Sequence, residues 1–131
     1  MAKAYRMDKP ANSRPHALVL EDEALIALNL QDELQDAGFE VNGPFTTCAA
    51  ALKWLETGTP ALAILDAALN DGKCNKVAEE LSRRKVPFLI YSGHQESLHL
   101  LPDFQHVTWI EKPVPPAVLV QACQRLVDAC D

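Results

Sequence analysis

Apolar positions along this chain change their spacing in a regular alternation. Ala17-Leu18-Val19-Leu20 is a continuous apolar run ending on Glu21-Asp22-Glu23. That is the pattern of a strand buried on both faces of a parallel sheet, with charge at its carboxyl end. From Ala24 to Ala37 the spacing lengthens to three and four residues, with Leu25, Leu28 and Ile26, Leu30, Leu34 as the apolar stripe and Gly38 as a stop, which predicts an amphipathic helix. Phe39 to Phe45 reads as extended, with Gly43-Pro44 bending its end. Thr46-Thr47 can then cap a second helix that packs through Ala49, Leu52 and Leu55 and stops at Gly58.

The alternation continues. Thr59-Pro60 breaks the chain before a third strand, Leu62 to Leu65, which again ends on an acid, Asp66. A loop from Ala67 to Gly72 leads to a helix near Lys73 to Arg84 with Val77, Ala78 and Leu81 as its inner face. Pro87 opens a fourth strand, Phe88 to Tyr91, ending on Ser92-Gly93. Between His94 and Gln105 the leucines allow about two turns before Pro102 stops them, so a fourth helix reads as short or irregular. A fifth strand, Val107 to Ile110, ends at Glu111-Lys112-Pro113, and a last helix uses Val118, Leu119, Ala122, Leu126 and Val127 for packing. Five strands alternating with helices predict an α/β domain with a doubly wound, five-stranded parallel sheet, because parallel neighbours need crossover connections. Sites in such sheets form beyond the carboxyl ends of the strands, at the switch point of the strand order.

Length and composition bound this picture. The 131 residues fit one domain, 48% hydrophobic and 23% charged, close to the globular average. Residues 1–15 hold four basic residues and two prolines with no apolar period; they are expected to be a flexible extension to a domain over 16–131. The formal net charge of -6 repels phosphate backbones, so nonspecific nucleic-acid binding is disfavoured. Cys48, Cys74, Cys123 and Cys130 match neither zinc-site nor Cys-x-x-Cys spacing and read as reduced thiols of a cytoplasmic protein. No apolar run approaches a membrane span, and no secretory signal is evident at the N-terminus.

The strand ends bring together Glu21 and Asp22, Asp66, Ser92 and Lys112: three carboxylates, a hydroxyl and an ammonium. Carboxylates this close raise one another's pKa, and a divalent cation resolves the conflict. Oxygen-only ligands favour Mg²⁺ or Mn²⁺. A carboxylate can attack phosphorus to give an acyl phosphate if the charge on the transferring group is neutralised, and Asp66, alone at the end of its strand, is the natural nucleophile. His94, His99 and His106 lack partners at ligand spacing and read as solvent-facing or locally hydrogen-bonded.

These motifs resemble the receiver domain of a two-component response regulator over roughly His16 to Asp131, a flavodoxin-like fold. The resemblance is carried by Val19-Leu20-Glu21-Asp22-Glu23, by Leu65-Asp66 with Leu69 and Gly72, by Tyr91-Ser92-Gly93, and by Trp109 ahead of Glu111-Lys112-Pro113. It implies that Asp66 accepts a phosphoryl group from a sensor histidine kinase. Asp22, Asp66 and the backbone carbonyl of Ala68 would ligate Mg²⁺, with Glu21 assisting through water, while Ser92 and Lys112 bind phosphoryl oxygens and the Lys112-Pro113 bond is often cis. Turnover beyond autocatalytic phosphotransfer and autodephosphorylation is not implied. Partners would be the kinase, a histidine phosphotransfer protein or a downstream protein; homodimerisation through the last helix stays open.

Asp66 and Ser92 are only 26 residues apart. This resembles the stand-alone alphaproteobacterial receivers with a Pro-Phe-x-Phe-Ala-Thr-Gly-Tyr motif, from which this chain departs at Tyr91, Ser92 and His94. In the family a Thr/Ser shift couples to rotation of an aromatic, here Trp109 or Tyr91; Trp109 reads equally as a core residue. Other classes fit less well. A haloacid dehalogenase type of hydrolase resembles Asp-x-Asp, and here the second position is Ala68. A flavodoxin-like cofactor module would need a phosphate loop where Glu21-Asp22-Glu23 stands. The rival that remains is a receiver-fold docking module with weak or no phosphorylation.

Overall fold

A computed structural model gives the structure of the protein and describes residues 14–66, 74–92 and 108–130. The strands are β1 (His16–Leu20), β2 (Glu40–Phe45), β3 (Leu62–Leu65), β4 (Phe88–Ser92) and β5 (Thr108–Glu111). The described helices are α1 (Ala24–Asp36), α2 (Cys48–Leu55), α3 (Cys74–Arg83) and α4 (Pro116–Cys130). All strand pairs are parallel, in the order β2-β1-β3-β4-β5. This is the doubly wound, flavodoxin-like arrangement, with its switch point between β1 and β3. The predicted short helix over 94–105 and the extension over 1–13 lie outside the described residues. Pro15 already belongs to the sheet edge, since its carbonyl accepts from the Glu40 N–H at 2.8 Å.

The central strands sort their side chains between two cores by simple alternation. Leu18, Leu20, Ala63, Leu65, Phe88 and Ile90 face α2 and α3. Ala17, Val19, Leu62, Ile64, Leu89 and Tyr91 face α1 and α4. Both faces are covered, which explains why the strands read as continuous apolar runs. Cys48 and Cys123 are buried thiols, one in each core, and burial pushes the Cys123 thiol up to about 12.

Three packing expectations are corrected. In α1 the leucines form two stripes, and only the one through Leu30 and Leu34, with Ala27, meets the sheet. Leu25 and Leu28 stand on the other side, 71% and 55% exposed. In α2, Ala49 is exposed and the buried face is Cys48, Ala51 and Leu55. In α4, Val118 is 47% exposed while Val120 and Cys123 join Leu119 in the core. Each slip is a phase error: alanines, cysteines and leucines at neighbouring positions fit more than one helical stripe, and only the partner surface chooses among them.

The turns carry their own chemistry. The Thr47 side chain accepts from Ala50 N–H at 3.1 Å and caps α2. Helices α1 and α3 end in the same double hydrogen bond. Phe39 N–H reaches Leu34 O and Gly38 N–H reaches Gln35 O; Val86 N–H reaches Leu81 O and Lys85 N–H reaches Ser82 O. The residue between must be left-handed. Gly38 meets that need freely at φ 97°, whereas Lys85 holds φ 59° against its own Cβ. Lys85→Gly is therefore expected to stabilise the protein by about 0.5–1 kcal/mol, read as a rise in the midpoint of urea unfolding. A lowered midpoint would show that the Lys85 side chain contributes more than its strain removes.

Candidate phosphoacceptor site

The acids are placed by the ends of the sheet ladder. Leu20 pairs with Leu65, and the next residue on each strand is Glu21 or Asp66. Their backbones stay anchored one step further: Asp66 N–H donates to Leu20 O at 3.1 Å, and Glu21 N–H donates to Phe45 O at 2.9 Å. The carboxylates beyond β1 and β3 thus sit on either side of the switch point. Glu21 and Asp66 are only 2% and 3% exposed, and Asp22 is half-buried.

One oxygen each from Glu21, Asp22 and Asp66 lies within 4.8 Å of the others. Lys112, the residue after β5, reaches across to them. Its Nζ lies 3.0 Å from both Glu21 carboxylate oxygens, 3.2 Å from Asp66 Oδ2 and 3.5 Å from Glu23 Oε1. Glu23, the last acid of the run after β1, is a fourth carboxylate at the rim; its role was not read from the sequence, although the unbroken Glu21-Asp22-Glu23 run was its signal.

Electrostatics record the crowding. Burial pushes the Glu21 carboxyl up to about 7, against the lowering effect of its hydrogen bond from Lys112. Burial and then the charge of Asp66 hold Asp22 above its ordinary range. Burial opposes the charge on Lys112, but its hydrogen bond to Glu21 and the charge of Asp66 outweigh it, so the ammonium titrates above the usual lysine range. Three converging carboxylates against one ammonium leave the pocket net negative. That donor set, all hard oxygen, fits a small divalent cation such as Mg²⁺.

The remaining predicted residues fall as follows. Ser92 ends β4, its backbone in register with Glu111 next to Lys112; its hydroxyl, like the Ala68 carbonyl, Leu69, Gly72 and the three histidines from 94 to 106, lies outside what the structure describes. The Lys112-Pro113 peptide is cis. Trp109 packs against the core shared with α2 and α3, and Tyr91 lies in the opposite core, so the two aromatic candidates for a switch stand on different faces of the sheet. Among the described residues no helix is long and apolar enough to cross a membrane.

Comparison with known proteins agrees with this geometry. Residues 17–124 match the response regulator receiver domain family. No curated protein is significantly similar in sequence. Among solved structures, SdrG from Sphingomonas melonis Fr1 is 30% identical, with a TM-score of 0.74 over 91% of this chain and 98% of that one. A sensor protein from Polaromonas sp. JS666 is 26% identical, with a TM-score of 0.75 over 90% and 99%. The response regulator TrrA from Thermotoga maritima, solved in complex with Mg²⁺ and BeF, shares the fold at 23% identity, with a TM-score of 0.71 over 86% and 98%.

Proposed function

This chain belongs to the response regulator receiver domain family, and we propose that it accepts a phosphoryl group on Asp66 from a histidine kinase, or exchanges one with a histidine phosphotransfer protein, in a Mg²⁺-dependent reaction. The observation that carries the reading is the convergence of the Glu21, Asp22 and Asp66 carboxylates within 4.8 Å at the switch point, with Lys112 bridging two of them. A lone strand-end aspartate would be a surface acid; an aspartate buried among like charges and one ammonium is a group built to meet a cation and a phosphate.

In the transfer, a carboxylate oxygen of Asp66 attacks phosphorus, the bond from phosphorus to the donor's nitrogen or oxygen breaks, and the leaving group takes the electron pair. Lys112 sits where its charge can follow the transferring oxygens while remaining tied to Glu21. Asp22 and Asp66 would hold Mg²⁺, with Glu21 behind them, and the bound cation would offset the charge of the phosphoryl group. The donor is consumed stoichiometrically, and the output passes to a protein partner. The 26-residue step from Asp66 to Ser92 and the Pro87-Phe88 lead-in support the Pro-Phe-x-Phe-Ala-Thr-Gly-Tyr subtype.

Acetyl phosphate with Mg²⁺ is expected to add one phosphoryl group to the intact mass, and the same mixture with EDTA to add none. Mg²⁺ at about ten times its Kd should also stabilise the fold by about 1.4 kcal/mol, seen as a raised melting temperature. A chain that gains no mass, and whose tryptophan fluorescence ignores millimolar Mg²⁺, would not be a phosphoacceptor. The second reading, a docking module, would then gain; it draws on Leu25, Leu28 and Val118, exposed on α1 and α4.

A further inference from the structure

Tyr91 packs in the core facing α1 and α4, yet its ring also meets the Lys112 ammonium. It is 4% exposed in the core between the sheet, α1 and α4. A phenol buried this deeply needs partners for its hydroxyl, and it finds both on one residue: the oxygen accepts from Val114 N–H at 3.3 Å and its O–H is directed to Val114 O at 3.5 Å. Lys112 Nζ stands over the same ring, 5.5 Å from its centroid, within the reach of a cation–π attraction.

The sequence after β5 makes this arrangement hard to replace. In Lys112-Pro113-Val114-Pro115-Pro116 three residues are proline and carry no N–H. Val114 therefore offers the one backbone donor between Lys112 and Ala117, and Tyr91 takes it. Pro113 and Pro115 are exposed, and Val114 between them packs against the core that holds Tyr91. The loop also borders a cleft of about 120 Å³ lined by Ile26, Leu30, Tyr91, Pro113, Val114 and Leu119, among others. Trp109 cannot substitute, because it belongs to the other face of the sheet.

We propose that Tyr91 is a positioning residue for Lys112: its hydroxyl tethers the Val114 backbone while its ring lies against the ammonium, so that the loop after β5 holds the charge between Glu21 and Asp66. The consequence for phosphoryl transfer rests on the phosphoacceptor reading; the tether itself does not. Tyr91 is then a fixed support and not a rotating switch.

Three proteins test it: wild type, Tyr91→Phe, which keeps the ring and loses the hydroxyl, and Tyr91→Leu, which loses both. By NMR, Tyr91→Phe should speed hydrogen exchange at the Val114 amide by about tenfold, the worth of one hydrogen bond, while the Lys112 ε-methylene keeps its ring-current shift. Tyr91→Leu should lose that shift as well. The rate of phosphoryl uptake from acetyl phosphate should fall in the order wild type, Phe, Leu, with the half-saturating Mg²⁺ concentration unchanged. A merely structural tyrosine would instead loosen amides throughout the sheet, Leu20 and Leu65 included, and lower uptake only as the folded fraction falls. Unchanged Val114 exchange in Tyr91→Phe, or an unmoved Lys112 signal in Tyr91→Leu, overturns the proposal. Wild-type protein that takes up no phosphoryl group overturns the phosphoacceptor reading, and the resonances still decide the tether.

Discussion

Asp66→Asn is expected to abolish Mg²⁺-dependent phosphoryl uptake, a loss of at least about 100-fold, because the covalent route is removed with its nucleophile. The fold should remain. Asparagine nearly matches aspartate in shape, and its amide oxygen can still accept from Lys112, which lies 3.2 Å from Asp66 Oδ2. Without metal the variant should melt above the wild type. Asp66 is one of the charges that raise the Glu21 and Asp22 carboxyls, so removing it relieves like-charge repulsion by about 1–2 kcal/mol. The Mg²⁺-induced rise in melting temperature should shrink correspondingly, since a charged ligand has gone. Intact-mass spectrometry and thermal melts with and without Mg²⁺ read all three effects. An adduct of wild-type intensity in Asp66→Asn would place the nucleophile elsewhere, and a variant that melts well below wild type would show that the Asp66–Lys112 pair stabilises the pocket more than its repulsions strain it.

The frame of this site was legible because its signals are local. Each of β1 and β3 is an apolar run that stops on an acid, and a buried parallel strand can only present such an acid beyond its carboxyl end. Glu21, Asp22, Asp66 and Lys112 could therefore be assigned to one edge before any contact was known, and the structure brings them together there. What could not be read depends on contacts between distant segments. Leu25 and Leu28 look as apolar as Leu30 and Leu34, and only the position of the sheet decides which pair is buried. Nor could the sequence show that Glu21 pairs directly with Lys112, 91 residues away. Tyr91 stood out as a departure from a motif and as a candidate switch aromatic; its bond to Val114, 23 residues away, could not be read.

Gly43→Ala should be strongly destabilising, and it tests how the far edge of the sheet supports the acids. Gly43 lies in β2 with φ +109°, a conformation that costs a residue with a Cβ about 1–3 kcal/mol. An added Cβ would also stand 2.7 Å from Val19 O and 2.8 Å from Phe45 N. Both are backbone atoms, so neither can turn aside as a side chain would: β1 would have to draw away from β2, and β2 itself would have to distort between Gly43 and Phe45. The combined loss is expected to be about 2–4 kcal/mol, a large share of the ~5–15 kcal/mol that holds a domain together, and the melting temperature should fall by on the order of 10 °C. The damage should also reach the site. The two atoms that block the Cβ flank the path to Glu21: Val19 lies two residues before it, and Phe45 O accepts its N–H at 2.9 Å. The folded fraction of Gly43→Ala should therefore bind Mg²⁺ more weakly than the wild type at a temperature where both are folded, whereas Lys85→Gly, at a turn remote from the acids in sequence, should leave Mg²⁺ binding unchanged. Equal Mg²⁺ affinity in Gly43→Ala and wild type would mean that the Glu21 backbone holds its place without the β2 edge.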